Sequence, residues 1–90
     1  MSAICMQVKV SGKVQGVGFR QAAVQQATKL SIDGWVRNED DGTVSALLCG
    51  NTEAVEVMLA WLGKGPSSAQ VGGLAASSCA WQDIAGFVQL

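Results

Sequence analysis

The sequence predicts an α+β sandwich in which two helices lie on one face of an antiparallel sheet. Three observations carry that prediction. Apolar residues alternate from Ile4 to Val10, the period of a strand with one buried face. Two longer stretches, Phe19 to Leu30 and Val55 to Leu62, repeat apolar residues at helical spacing. Between them, Asp41-Gly42 joins two short strand-like runs, and both residues tolerate the positive φ of a hairpin turn.

Each element follows in chain order. Ile4, Met6, Val8 and Val10 alternate with Cys5, Gln7 and Lys9 as the first strand, which a glycine-rich loop then ends. The first helix runs from Phe19 to about Leu30, with Phe19, Ala23, Ala27 and Leu30 on one stripe and Ala and Gln as favourable fillers. Gly34 to Asn38 and Thr43 to Cys49 are the second and third strands, with the hairpin tip near Glu39 to Gly42. Asn51 or Thr52 caps a second helix whose stripe is Val55, Met58, Leu59 and Leu62, and Gly63 to Pro66 stops it. Val71 and Leu74 mark a strand interrupted by Gly72-Gly73, and Phe87 to Leu90 a short last strand. Ser67-Ser68 and Ala75 to Ala80 read as turns and loosely packed surface, while Trp61 and Trp81 suit either the core or a cover on the second face of the sheet. The order strand, helix, strand, strand, helix, strand is the split βαβ, or ferredoxin-like, pattern (βαββαβ).

Composition limits what such a domain does. Ninety residues with 49% hydrophobic content support one domain, 1–90, around a single core. A formal net charge of −1 gives no overall field that would draw in nucleic acid or an anionic membrane, so neither is an expected partner and any anion binding is local. The N-terminus lacks a basic region ahead of an apolar one, and no run approaches the roughly 18 apolar residues of a membrane span, so the expected location is cytoplasmic. No histidine is present, and Cys5, Cys49 and Cys79 lie too far apart for C-x-x-C spacing, which argues against a zinc site and a redox dithiol, so the chain is not built around a metal.

The segment SGKVQGVGFR, Ser11 to Arg20, places Gly12, Gly16 and Gly18 just before the first helix. Glycines there let successive backbone N–H groups turn into one concavity, and the positive end of the helix dipole faces the same place. Arg20 adds a planar, permanently charged fork suited to phosphate oxygens. By spacing alone, a tight turn beside a solvated arginine is the more ordinary reading. The loop is neither a Walker sequence nor the G-x-G-x-x-G of a dinucleotide fold.

A second stretch, GWVRNEDDGTV from Gly34 to Val44, changes the balance. Together GKVQGVGFR and GWVRNEDDGTV resemble the two signature segments of the acylphosphatases, small enzymes that hydrolyse the carboxyl-phosphate bond of acyl phosphates. The resemblance extends through the helix around Trp61 and GKGPSSAQV to Val71, about four fifths of the chain. It implies a ferredoxin-like fold and a phosphate cradle of backbone N–H groups from Gln15, Gly16, Val17, Gly18 and Phe19. It also implies that Arg20 grips the phosphate and Asn38 holds the attacking water, without metal or cofactor. A small acyl phosphate is then the substrate, and inorganic phosphate or sulfate a ligand of the same site. A monomer is the expected state for so small a domain.

The residues agree with this chemistry. With no histidine, no tyrosine and no nucleophile next to a base, a phosphoenzyme or a strong general base is hard to build. Positioning and charge remain, and they suffice for a labile acyl phosphate with a good carboxylate leaving group. Phosphate monoesters ask for a far larger barrier reduction. Glu39, Asp40 and Asp41 read as a solvated hairpin tip rather than a base or metal site, and Arg37 as an exposed strand residue facing away from Asn38. Trp35 packs on the sheet, and Lys13 offers at most a long-range pull on an anion.

If the first and third strands pair antiparallel, Cys5 and Cys49 meet at one end, on the face opposite Val8 and Val44. A disulfide there is geometrically possible and would staple a small core; two free thiols are the alternative in a reducing compartment. Cys79 is unpaired in either case. Gln89 and Leu90 stand where the resembling family tends to have an apolar and then a basic residue, and Gln21 where it often has an aromatic one. A non-catalytic anion-binding or regulatory domain of the same fold is the alternative function. An RNA-binding module ranks below it, because only five aromatic residues and an acidic balance are available.

Overall fold

The computed structural model describes residues 2–90. The elements are β1 (Ala3–Lys13), α1 (Phe19–Lys29), β2 (Asp33–Asn38), β3 (Val44–Asn51), α2 (Thr52–Lys64), β4 (Gln70–Cys79) and β5 (Phe87–Gln89). One sheet holds all five strands in the order β4-β1-β3-β2-β5. The β1·β3, β1·β4 and β2·β3 pairs are antiparallel, and the short β5 runs parallel to β2 at one edge. The ferredoxin-like pattern is therefore present, with β5 as an added edge strand.

The two faces divide as the period of the strands dictates. Val8 and Val10 of β1, Val36 of β2, and Val44, Ala46 and Leu48 of β3 join Phe19, Ala23 and Ala27 of α1 and Val55, Met58 and Leu62 of α2 in one core. Each fully buried Leu, Met or Phe among them contributes about 1.5–3 kcal/mol. The alternate residues Cys5, Leu47 and Cys49 form a second, smaller cluster on the other face, against Trp35, Cys79 and Ile84. Chain from Ala80 to Gly86 crosses between β4 and β5. Its fit is fixed where Gln82 N–H meets Cys5 Sγ at 3.3 Å and where Gly86 N–H donates to Asp33 Oδ1 at 2.9 Å.

Two features differ from what composition suggests. Ala75 to Cys79 lies within β4 rather than in turns, and the interruption expected at Gly72-Gly73 is a bulge within one continuous strand: Ser11 pairs with Gly73 and Gly12 with Val71, which leaves Gly72 as the extra residue. Small residues have weak strand preference of their own, and here the ladder with β1 decides their conformation. Trp81 is 54% exposed and belongs to neither core. Trp61 packs against Phe19 with ring centroids 5.8 Å apart.

Helix α2 starts on Asn51, whose side chain accepts the Glu53 N–H at 2.9 Å, and its C-cap is Gly65. At the hairpin tip, Asp41 Oδ1 accepts the Thr43 hydroxyl at 2.6 Å and the Thr43 N–H at 3.1 Å, while Lys9 Nζ lies 3.1 Å from Oδ2. The Thr43 hydroxyl first, then the Thr43 N–H and Lys9, hold the Asp41 carboxyl at about 2. A carboxyl lowered on folding adds stability that is fully present above its ordinary value of 3.8 and is lost as pH falls through about 2. The advantage of wild type over Asp41→Asn in urea midpoint should thus be constant above about pH 4.5 and shrink as pH approaches about 2.

Candidate active site

β1 and β2 run in the same direction on either side of β3, so their ends lie at one end of the sheet. Register makes this concrete: Val10 pairs with Val44, and Val44 with Asn38. Asn38, the last residue of β2, therefore lies on the helix-covered face beside the loop that leaves β1. That loop, Val14 to Gly18, enters α1 without a side-chain cap. Gly16 and Gly18 have φ of 72° and 76°, in the left-handed region, and a Cβ on either would meet nothing within 4 Å. Conformation, not crowding, requires glycine here, because a side chain in this region costs about 1–2 kcal/mol.

A cavity of about 130 Å³ opens at this point, lined by Val14, Gly16, Gly18, Phe19, Arg20, Gln21, Asn38 and Gln89. Phe19 is buried with its ring in the core, so it can offer the cavity only backbone. The N–H groups of Gln15, Gly16, Val17 and Gly18 donate to no backbone acceptor among the described residues. Helix α1 directs its positive end to the same place.

Arg20 is half-buried, and its Nη1 donates to the main-chain oxygen of Leu90 at 2.7 Å. Leu90 is itself held by donating its N–H to Val36 O at 2.8 Å, beyond the end of β5. The last strand thus anchors one corner of the guanidinium, whose five N–H donors leave others for an anion. Asn38 is half-buried, and its Oδ1 is the one fully buried side-chain oxygen or nitrogen among the described residues that has no hydrogen-bond partner.

The expected cradle residues do not all face this cavity. Gln15 and Val17 are not in its lining. The Gln15 side chain turns to the hairpin, where Nε2 donates to Glu39 O at 2.8 Å and Thr43 O at 2.9 Å. It ties the loop after β1 to the residue that follows Asn38. Val17 O accepts the Ser68 hydroxyl at 2.7 Å, which joins the loop to the segment after α2. Neither tie was among the sequence-based expectations, nor was the Leu90 contact of Arg20. Only a polar residue inside a glycine-rich loop, Gln15, hints at the first.

The tempting residues lie elsewhere. Arg37 points to the opposite face from Asn38, stacks over Trp35 at 4.7 Å and bonds Glu39 Oε2 through Nε at 2.8 Å. That hydrogen bond is the largest cause holding the Glu39 carboxyl below its ordinary value, so Glu39 is no proton acceptor at neutral pH. Lys13 is exposed and outside the cavity lining. A larger cavity of about 390 Å³ lies on the open sheet face among Trp35, Arg37, Lys9 and Ser77, but it contains neither the loop nor Asn38.

The smaller hollow brings an arginine, a glycine loop and the Asn38 amide together on a ferredoxin-like sheet, an arrangement whose positive charge and free N–H groups suit an anion. Comparison with known proteins agrees: the acylphosphatase family matches residues 6–88, and the chain belongs to that family. It is 46% identical over 88 residues to an acylphosphatase of Pseudomonas aeruginosa, covering 98% of this chain and 97% of the relative. Its structure is similar to that of an acylphosphatase from Coxiella burnetii, with a TM-score of 0.94 at 34% identity over 98% of this chain and 93% of the other. An acylphosphatase from Bacillus subtilis also gives a TM-score of 0.94, at 28% identity over 97% and 98% of the two chains.

Proposed function

We propose that this acylphosphatase hydrolyses the carboxyl-phosphate bond of small acyl phosphates in the cavity between the Gln15–Phe19 loop, Arg20 and Asn38. The phosphate rests on loop N–H groups with Arg20 across its oxygens. Asn38, through a side-chain amide that can accept and donate at once, aligns a water with the carboxylate leaving group. Charge on the transferring phosphoryl group is met by the arginine, the loop dipoles and the start of α1. The water's proton passes to the substrate.

The buried, unpartnered Oδ1 of Asn38 carries this reading. An acceptor left so is costly, about 1–3 kcal/mol, and Asn38 lines the cavity that also holds Arg20. The volume supports the substrate class as well: about 130 Å³ is small beside the roughly 300–1,000 Å³ of sites that enclose a whole drug-sized molecule. The phosphate is recognised and the acyl group is left outside, so inorganic phosphate or sulfate would occupy the same place. All of these residues come from one chain, so a monomer suffices.

Release of inorganic phosphate from benzoyl phosphate, in the presence of a chelator, tests the reading. Rapid release is expected, with little from p-nitrophenyl phosphate, whose monoester bond asks for a much larger barrier reduction. Folded protein that leaves benzoyl phosphate untouched would reduce the cavity to an anion-binding site.

A further inference from the structure

The three cysteines, distant in sequence, stand in one row across three neighbouring strands. Cys5 of β1 is paired on one side with Cys49 of β3 and on the other with Cys79 of β4. The structure bridges Cys5 to Cys49 and leaves Cys79 as a thiol. Side chains of directly paired residues share a face, and Cys79 packs against the cluster of Cys5, Leu47 and Cys49. The row lies at the end of the sheet away from the active site, five residues along β1 from the row of Val10, Val44 and Asn38.

Strand geometry decides what Cys79 can reach. Cys5 and Cys49 have Cα atoms 4.1 Å apart, the narrow, non-hydrogen-bonded kind of antiparallel pair. The N–H and C=O of a strand residue point to the same neighbour, so those of Cys5 point towards β4. Cys5 and Cys79 then form the wide kind of pair, with Cα atoms about 5.5 Å apart, which is a common separation for bridged cysteines. Beyond Cys79, the Gln82 N–H meets Cys5 Sγ at 3.3 Å and pins the departing chain over the same sulfur.

We propose that Cys79 is the exchange nucleophile for the Cys5–Cys49 disulfide, so that the oxidised protein carries its bridge in two interchanging positions. The Cys79 thiolate, its proton given to water, attacks Cys5 Sγ. A Cys79–Cys5 bond forms as the Cys5–Cys49 bond breaks. The electron pair leaves on Cys49 Sγ, which takes up a proton. No oxidant or reductant is consumed. The order of the row places attacking, central and leaving sulfurs on successive strands, as displacement at Cys5 requires. Exposure gives the exchange a consequence: Cys49 and Cys5 are 0% and 2% exposed, whereas Cys79 is half-buried. Small thiols in solution reach the buried bridge by way of Cys79.

Trypsin places the three cysteines on separate peptides, residues 1–9, 38–64 and 65–90, which makes the linkage readable. Air-oxidised native protein is held at mildly alkaline pH, alkylated, digested without reductant and mapped by mass. The expected map contains both 1–9 linked to 38–64 with label on Cys79, and 1–9 linked to 65–90 with label on Cys49. Cys49→Ser should carry a Cys5–Cys79 bridge. Cys79→Ser should keep the Cys5–Cys49 bridge and its rate of phosphate release, yet lose the bridge to dithiothreitol about tenfold more slowly than wild type under native conditions. A map with the Cys5–Cys49 linkage alone, or with three labelled cysteines, overturns the proposal. Equal reduction rates in wild type and Cys79→Ser overturn it as well.

Discussion

Asn38→Ala will lower kcat for benzoyl phosphate by about 10²–10³-fold and change the affinity for inorganic phosphate by no more than about threefold. Asn38 lines the cavity, and its amide oxygen is buried and spends no hydrogen bond on the protein. Its proposed partner is the attacking water, which is present only in the reacting complex and does not help to hold phosphate. Loss of alignment therefore falls on the chemical step. A steady-state comparison with phosphate as competitive inhibitor separates the two quantities. Loss of phosphate binding equal to the loss of kcat would place Asn38 on the phosphate instead of the water. Asn38→Asp is informative in the opposite sense: it keeps an acceptor but adds negative charge beside an anion, so both kcat and phosphate affinity should fall.

Arg20→Ala has the larger expected effect, about 10³–10⁵-fold in kcat/KM, with phosphate inhibition weakened at least about tenfold. The guanidinium is anchored through Nη1 to Leu90 O at 2.7 Å, which fixes its plane before substrate arrives. It binds the phosphate in the ground state and meets more charge on it in the transition state, so KM and kcat should move together. Arg20→Lys should restore little, because an ammonium cannot hold a carbonyl at one corner and present a planar fork to the anion. Full restoration by lysine would mean that only the positive charge matters and that the Leu90 contact has no role in orientation.

The parts of this site legible in the sequence are those written in local pattern. Alternation in β1, the stripes of Phe19, Ala23 and Ala27 and of Val55, Met58 and Leu62, and the Asp41-Gly42 turn each express their structure within a few residues. From them the ferredoxin-like order follows, and with it the meeting of the Gly16–Gly18 loop and Asn38 at one end of the sheet. What stayed hidden is set by distant partners. β4 contains Gly72, Gly73, Ala75, Ala76, Ser77 and Ser78, none of which prefers a strand, and pairing with β1 holds it extended. Gln15 bonds carbonyls 24 and 28 residues away, and Arg20 bonds one 70 residues away. No local window contains such contacts. The parallel placement of β5 beside β2 belongs to the same class: three residues, Phe87–Gln89, carry too little pattern to announce their partner.

Titration of inorganic phosphate into ¹⁵N-labelled protein, followed by amide shifts, tests the central claim most directly, because two cavities compete for the role. The account predicts saturable shifts largest at Gln15, Gly16, Val17, Gly18 and Phe19 and at the Arg20 and Asn38 side chains, retained in Asn38→Ala and lost in Arg20→Ala. Shifts centred instead on Trp35, Arg37 and Ser77 of the open sheet face, or none at phosphate concentrations that inhibit turnover, would contradict it.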